Sequence, residues 1–127
     1  MTLALGTGVA YAADAHPLAG SWSWKPFGSQ CVETFEYRLN NTLQGTSGES
    51  LSEWNYTVTP QASEKGFYKV VETSMRHNGR KDCSGDTVDS SGTVNERFIQ
   101  FSPARDMMLV CRQESLTACF GPLRRKR

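Results

Sequence analysis

The sequence has little of what most enzymes, membrane proteins and nucleic-acid binders require. Only two histidines occur, His16 and His77. A histidine base needs a nucleophile and an orienting acid beside it. Only His77 has such residues near in sequence, with Ser74, Ser84, Asp82 and Asp86 on either side. Gly-x-Ser-x-Gly, the P-loop and His-Glu-x-x-His are all missing, so no motif points to a hydrolase elbow, a nucleotide site or a zinc protease. No apolar run reaches the ~18 residues of a transmembrane helix. Formal net charge is +1, which lacks the basic excess of a nucleic-acid binder. No Cys-x-x-Cys pair occurs, and neither histidine lies at ligand spacing from a cysteine. Zinc and thioredoxin-type redox sites show such pairs. No cofactor, metal, nucleic-acid partner or stable membrane insertion is therefore expected.

What is present describes one small exported domain. The chain has 127 residues, with six Phe, four Tyr and three Trp; disordered chains have few aromatics and high net charge. Residues 1–12 form a short apolar stretch, and Ala10-Tyr11-Ala12 fits the small-x-small pattern of signal cleavage. Ala13-Asp14-Ala15 offers a second cut, and the basic start of such a signal is missing, since no Lys or Arg precedes Lys25. The expectation is a signal peptide over 1–12, extending at most to 15, and a mature chain in the periplasm or outside the cell. An even set of four cysteines, Cys31, Cys83, Cys111 and Cys119, suits two disulfides in an oxidising compartment. Four cysteines allow three connectivities, and the sequence does not choose. The pairing expected here is Cys31–Cys83 with Cys111–Cys119, worth about 4 and about 2.6 kcal/mol in the chain-entropy account.

From Gly20 onward the apolar pattern has period two, as strands require. Trp22 and Trp24 share a face, as do Phe35, Tyr37 and Leu39, and Trp54, Tyr56 and Val58. Further strands are expected over 67–75, 94–101, 107–112 and 118–123. Turn chemistry separates them: Lys25 to Gly28, Asn40-Asn41, Gly45 to Gly48, Pro60 to Gly66 and His77-Asn78-Gly79. A single helical turn near 47–53 is the only helix in view. Seven or eight short strands imply an antiparallel sandwich or barrel. Closing the sheet removes its edges, so the expected fold is all-β: an up-and-down barrel over 16–123, with a basic tail over 124–127.

The interior of such a barrel is filled by side chains or holds one small ligand. Trp22, Trp24, Phe35, Tyr37, Trp54, Tyr56, Phe67, Phe98 and Phe101 are the aromatics available to line it. Trp24, Phe35, Tyr37, Trp54 and Tyr56 are the expected ligand contacts, and Trp22 with the four cysteines is structural. Glu36, Glu53 and Glu72 fall on or near the polar side of their strands. Glu33 shares the parity of Phe35 and Tyr37 and is expected at the barrel mouth, because an unpaired buried carboxylate is costly. Asp82, Asp86 and Asp89 do not meet calcium-loop spacing and read as a solvated loop.

Leu18-Ala19-Gly20-Ser21-Trp22 resembles the Gly-x-Trp start of lipocalin-like barrels. The resemblance implies that Trp22 closes one end of the barrel. It also implies an Arg of the last strand packed over that Trp, with Arg112, Arg124 and Arg125 as candidates. The same start followed by an early cysteine is similar to the small bacterial barrel inhibitors of secreted metalloproteases. In those the arm before Gly-x-Trp, here Ala13 to Leu18, enters the protease cleft. They have one disulfide, and this chain offers two. The expected function is that of a monomeric, exported, non-enzymatic binding protein for a small apolar ligand. A protein–protein module, such as a protease or toxin inhibitor, is the alternative. A small hydrolase built on His77 is the third reading.

Overall fold

The computed structural model describes residues 16–87 and 91–126. Eight strands follow in order: β1 (Gly20–Trp24), β2 (Glu33–Tyr37), β3 (Thr42–Ser47), β4 (Ser50–Val58), β5 (Tyr68–His77), β6 (Val94–Phe101), β7 (Met107–Cys111) and β8 (Cys119–Arg125). Each pairs antiparallel with the next, and β8 returns to β1 to close the barrel. Among the described residues there is no helix.

Alternation along the strands builds the core. Trp22, Tyr37, Leu43, Tyr56, Val70, Ile99, Met108, Val110 and Leu123 form one buried cluster with Leu18. Neighbours of opposite parity face water, which is the side-chain logic of a single-layer closed sheet.

Three segments differ from the sequence expectation. The Gly45 to Gly48 segment read as a turn, yet residues 42–47 form β3 and only Gly48 and Glu49 turn the chain. Gly45 belongs in mid-strand because Phe35 and Ser52 crowd it; a Cβ there would lie 3.0 Å from Ser52 Oγ. β4 begins at Ser50, so strand replaces the helical turn considered for 47–53. The Asn78-Gly79 pair does not close a tight hairpin. β5 instead ends at His77 and β6 begins only at Val94, so a long connection separates them.

Arg124 and Arg125, grouped with a tail in the sequence, belong to β8. The Lys126 N–H donates to the Ser21 carbonyl at 2.8 Å, extending the seam between β8 and β1. Residues 1–15, where a signal peptide is expected, and Asp89 lie outside the described residues.

One end of the barrel is sealed. Trp22 is wholly buried, and its Nε1–H donates to the Leu18 carbonyl at 2.9 Å. Arg125 lies over the Trp22 ring, 4.3 Å from its centroid, while Arg112 and Arg124 are exposed. Arg125 also ties down the incoming chain through the carbonyls of Ala19 and Pro17 at 2.7 and 2.8 Å.

Two disulfides, Cys31–Cys83 and Cys111–Cys119, brace the opposite end. The first joins the β1–β2 loop to the long β5–β6 connection. That connection also lies on the β3–β4 turn: Cys83 N–H donates to Ser47 Oγ at 2.9 Å and Glu49 N–H to the Lys81 carbonyl at 2.9 Å. Gly48 permits the approach, since a Cβ there would meet the Lys81 carbonyl oxygen at 3.1 Å.

Candidate functional site at the disulfide-braced end

The inward-facing positions nearest the braced end are not all apolar, and the barrel is not filled there. An inner hollow of about 220 Å3 is lined by Glu33, Phe35, Tyr37, Glu72, Arg97, Val110, Phe120 and Leu123. An outer hollow of about 300 Å3 is lined by Ser47, Ser50, Ser52, Trp54, His77 and Asp82, among others. Glu33, Phe35 and Arg97 line both.

Glu72 is the floor of this site, although its sequence position suggests the polar side of its strand. It is instead only 6% exposed. Val70, Glu72 and Ser74 alternate inward along β5. Tyr37 donates its phenol to Glu72 Oε2 at 2.7 Å, and Arg97 Nε approaches Oε1 at 3.8 Å. Burial disfavours the charged carboxylate and raises the Glu72 pKa, although Tyr37 and Arg97 oppose the shift. Tyr37 is pushed well above the ordinary phenol value, first by burial and then by the charge of Glu72.

Glu33 stands at the mouth with the parity expected for it. Both its oxygens are engaged: Trp24 Nε1–H donates to Oε1 at 2.9 Å and Ser47 Oγ–H to Oε2 at 2.6 Å. Trp24 in turn packs on Phe120, with ring centroids 5.2 Å apart.

Of the five aromatics expected as contacts, Phe35 and Tyr37 line the inner hollow and Trp54 the outer one. Trp24 braces the rim through Glu33 and Phe120. Tyr56 lines neither hollow; it lies in the core and donates its hydroxyl to the Arg38 carbonyl at 2.7 Å. Phe98 is an interior aromatic by the sequence expectation, but Arg97 and Ile99 take the inward positions of β6, so alternation puts Phe98 outside. Arg97, Glu72, Val110, Phe120 and Leu123 were missed as lining residues. Arg97 shares parity with Ile99 and Phe101, a signal obscured by the adjacent Phe98.

Among the described residues, His77 is not hydrogen-bonded to the acid that a catalytic triad needs. Its Nδ1 accepts the Gly79 N–H at 2.9 Å. The ring proton therefore resides on Nε2 and is donated to Ser50 Oγ at 3.0 Å. A base for Ser50 would need the opposite arrangement. Asp82 Oδ1 is occupied by the N–H groups of Ser84 and Asp86 at 2.8 and 3.0 Å.

These features define a class: a disulfide-braced, eight-stranded antiparallel barrel, sealed at one end and chambered at the other. No protein family, curated protein or solved structure matches the chain.

Proposed function

We propose that this chain is an exported, non-enzymatic binding protein of lipocalin-like design, which takes a small ligand into its chambered end. One observation carries the reading: the inner hollow combines apolar walls at Phe35, Val110, Phe120 and Leu123 with the polar groups of Glu72 and Arg97. Small-molecule sites have that make-up, a mostly apolar lining with a few fixed polar groups. The volume, about 220 Å3, exceeds the ~150 Å3 that accepts benzene and falls short of the ~300 Å3 at which drug-sized pockets begin. A single ring or short branched chain fits the inner hollow. Two disulfides support export, because such bonds persist in oxidising compartments.

Native mass spectrometry of protein purified from its own compartment tests the proposal. A stoichiometric small molecule is expected, and Val110→Phe, which fills the hollow, is expected to abolish its retention while leaving the fold intact. Retention unchanged by Val110→Phe would place the ligand elsewhere and sink the reading.

A second reading rests on Phe27. Its side chain is fully exposed at the tip of the β1–β2 loop, and the same loop exposes Val32, as an anchor for a protein partner would. The arm expected of an inhibitor is less favourable to it. Leu18 is buried, and the Pro17 carbonyl accepts from Arg125, so this part of the arm is fastened to the barrel. Stoichiometric inhibition of a secreted protease, lost in Phe27→Ala, would establish this reading; inhibition unaffected by Phe27→Ala would end it.

A further inference from the structure

The two hollows meet at Arg97, whose bonding differs from that of every acid around it. Three carboxylates share the chamber with it: Glu33 on β2, Glu72 on β5 and Asp82 on the β5–β6 connection. Each already accepts hydrogen bonds. Glu33 accepts from Trp24 and Ser47, Glu72 from Tyr37, and Asp82 from two backbone N–H groups. Among the described residues, the one carboxylate paired with Arg97 is Glu72, at 3.8 Å, which is beyond hydrogen-bond reach. Its side chain is 31% exposed, so most of it is out of water. A guanidinium carries five N–H groups in a fixed fork, matched in shape and charge by a carboxylate. Among the described residues, the N–H groups of Arg97 therefore find no hydrogen-bond acceptor at the point where the hollows join.

We infer that the ligand is a monocarboxylate with one ring or a short branched chain, and that Arg97 receives its carboxylate while Phe35, Phe120, Val110 and Leu123 enclose the apolar body. This rests on the binding reading above and adds the ligand's chemical class. The polarity of the chamber sets the orientation. Leu123 and Val110 belong to the apolar core cluster, whereas the outer hollow is rich in hydroxyls from Ser47, Ser50 and Ser52. The apolar body is thus enclosed by the inner walls, with the charged end at the junction. A second anion beside Glu72 adds repulsion, and burial already inclines Glu72 to hold a proton. Binding is accordingly expected to tighten as pH falls. The other titratable groups facing this point are Glu33 and Tyr37 on β2, His77 on β5 and Asp82 on the connection.

Calorimetric titration of the intact oxidised protein with three ring compounds of nearly equal size tests the inference: phenylacetate, 2-phenylethanol and 2-phenylethylammonium. Phenylacetate is expected to bind tighter than both by roughly 10- to 100-fold, the worth of a charge-assisted hydrogen bond. Arg97→Gln should reduce phenylacetate to the level of the alcohol, and Arg97→Lys, which keeps the charge but loses the fork, should fall between. Amide NMR shifts on adding phenylacetate to the unmodified protein should centre on Phe35, Arg97 and Leu123; this readout does not depend on any variant folding. Equal binding of acid and alcohol would overturn the carboxylate and leave the chamber reading intact. Preference for the ammonium would assign recognition to Glu33 and Glu72 and overturn it as well. If none of the three binds, the inference fails, whereas the binding reading fails only if native mass spectra also show no retained molecule.

Discussion

The central carbon of the Arg125 guanidinium lies over Trp22, 4.3 Å from the ring centroid. The same group donates to the carbonyls of Pro17, Ala19 and Arg105. One side chain thereby joins the last strand, the first strand's approach and the β6–β7 turn. Gly20 makes this possible. Its φ is +127°, and a Cβ there would lie 2.7 Å from Arg125 Nη1. The glycine two places before the tryptophan is thus the space in which the arginine rests.

Arg125→Ala is expected to lower stability by about 2–3 kcal/mol, from lost charge-assisted hydrogen bonds and the cation–π contact. Arg125→Lys should recover part of this, because the ammonium keeps the charge without the fork. Gly20→Ala should cost about 1–3 kcal/mol through backbone strain and displacement of the guanidinium. Urea denaturation measures all three; a loss below about 0.5 kcal/mol for Arg125→Ala, no more than an ordinary surface substitution, would mean that the stack does not contribute.

Glu72→Gln changes how stability depends on pH. The folded pKa of Glu72 is raised from 4.5, so the folded state holds its proton more tightly than the unfolded state. Stability must then fall as pH rises from about 4.5 through the raised value. Glutamine removes that decline and still offers Tyr37 an oxygen. Urea midpoints measured from acid to neutral pH should show a flatter profile for the variant. Parallel profiles would show that Glu72 carries no such penalty.

The Cys31–Cys83 bond spans 52 residues. Replacing both cysteines by serine should cost roughly 4 kcal/mol in the chain-entropy account. It should also speed amide exchange in residues 78–87 and weaken ligand retention, because the bond holds the connection over the outer hollow. Cys111–Cys119 spans 8 residues and should cost about 2.6 kcal/mol by the same argument. Hydrogen-exchange mass spectrometry reads both effects. Unchanged protection over 78–87 in the first variant would assign its hold to the Ser47 and Lys81 hydrogen bonds.

Alkaline titration should separate the tyrosines. Burial raises Tyr56 to about 12 and Tyr37 well above 10.0. Both phenols should stay neutral past the pH at which an exposed tyrosine ionises. Since the unfolded chain loses those protons first, stability should decline as pH climbs above about 10. Ultraviolet difference spectra of Tyr37→Phe and Tyr56→Phe assign the late steps. A late phase that survives both substitutions would place it on another residue.

Glu72 and β3 show where a linear reading stops. Adjacent Val70 and Val71 give β5 no clear inward parity, so the sequence groups Glu72 with the acids on or near the polar side of their strands. The β3 residues Thr42-Leu43-Gln44-Gly45-Thr46-Ser47 contain one large apolar side chain and resemble a loop. They become strand because β2 and β4 lie on either side and close the barrel only through them. Glu33 was legible, because its parity was set by Phe35 and Tyr37 on the same short strand.

Period-two alternation, turn residues and an even set of cysteines were enough to determine an all-β barrel with two disulfides. These are local properties, set by which face of a strand a side chain takes and by the turn chemistry between strands. The tertiary structure decided which arginine covers Trp22, which acid lies beneath the chamber and which cation stands where the hollows join. Those choices depend on residues as far apart as Ala19 and Arg125, or Tyr37 and Glu72. Only closure of the barrel brings such residues within hydrogen-bond distance, where burial and charge determine their chemistry.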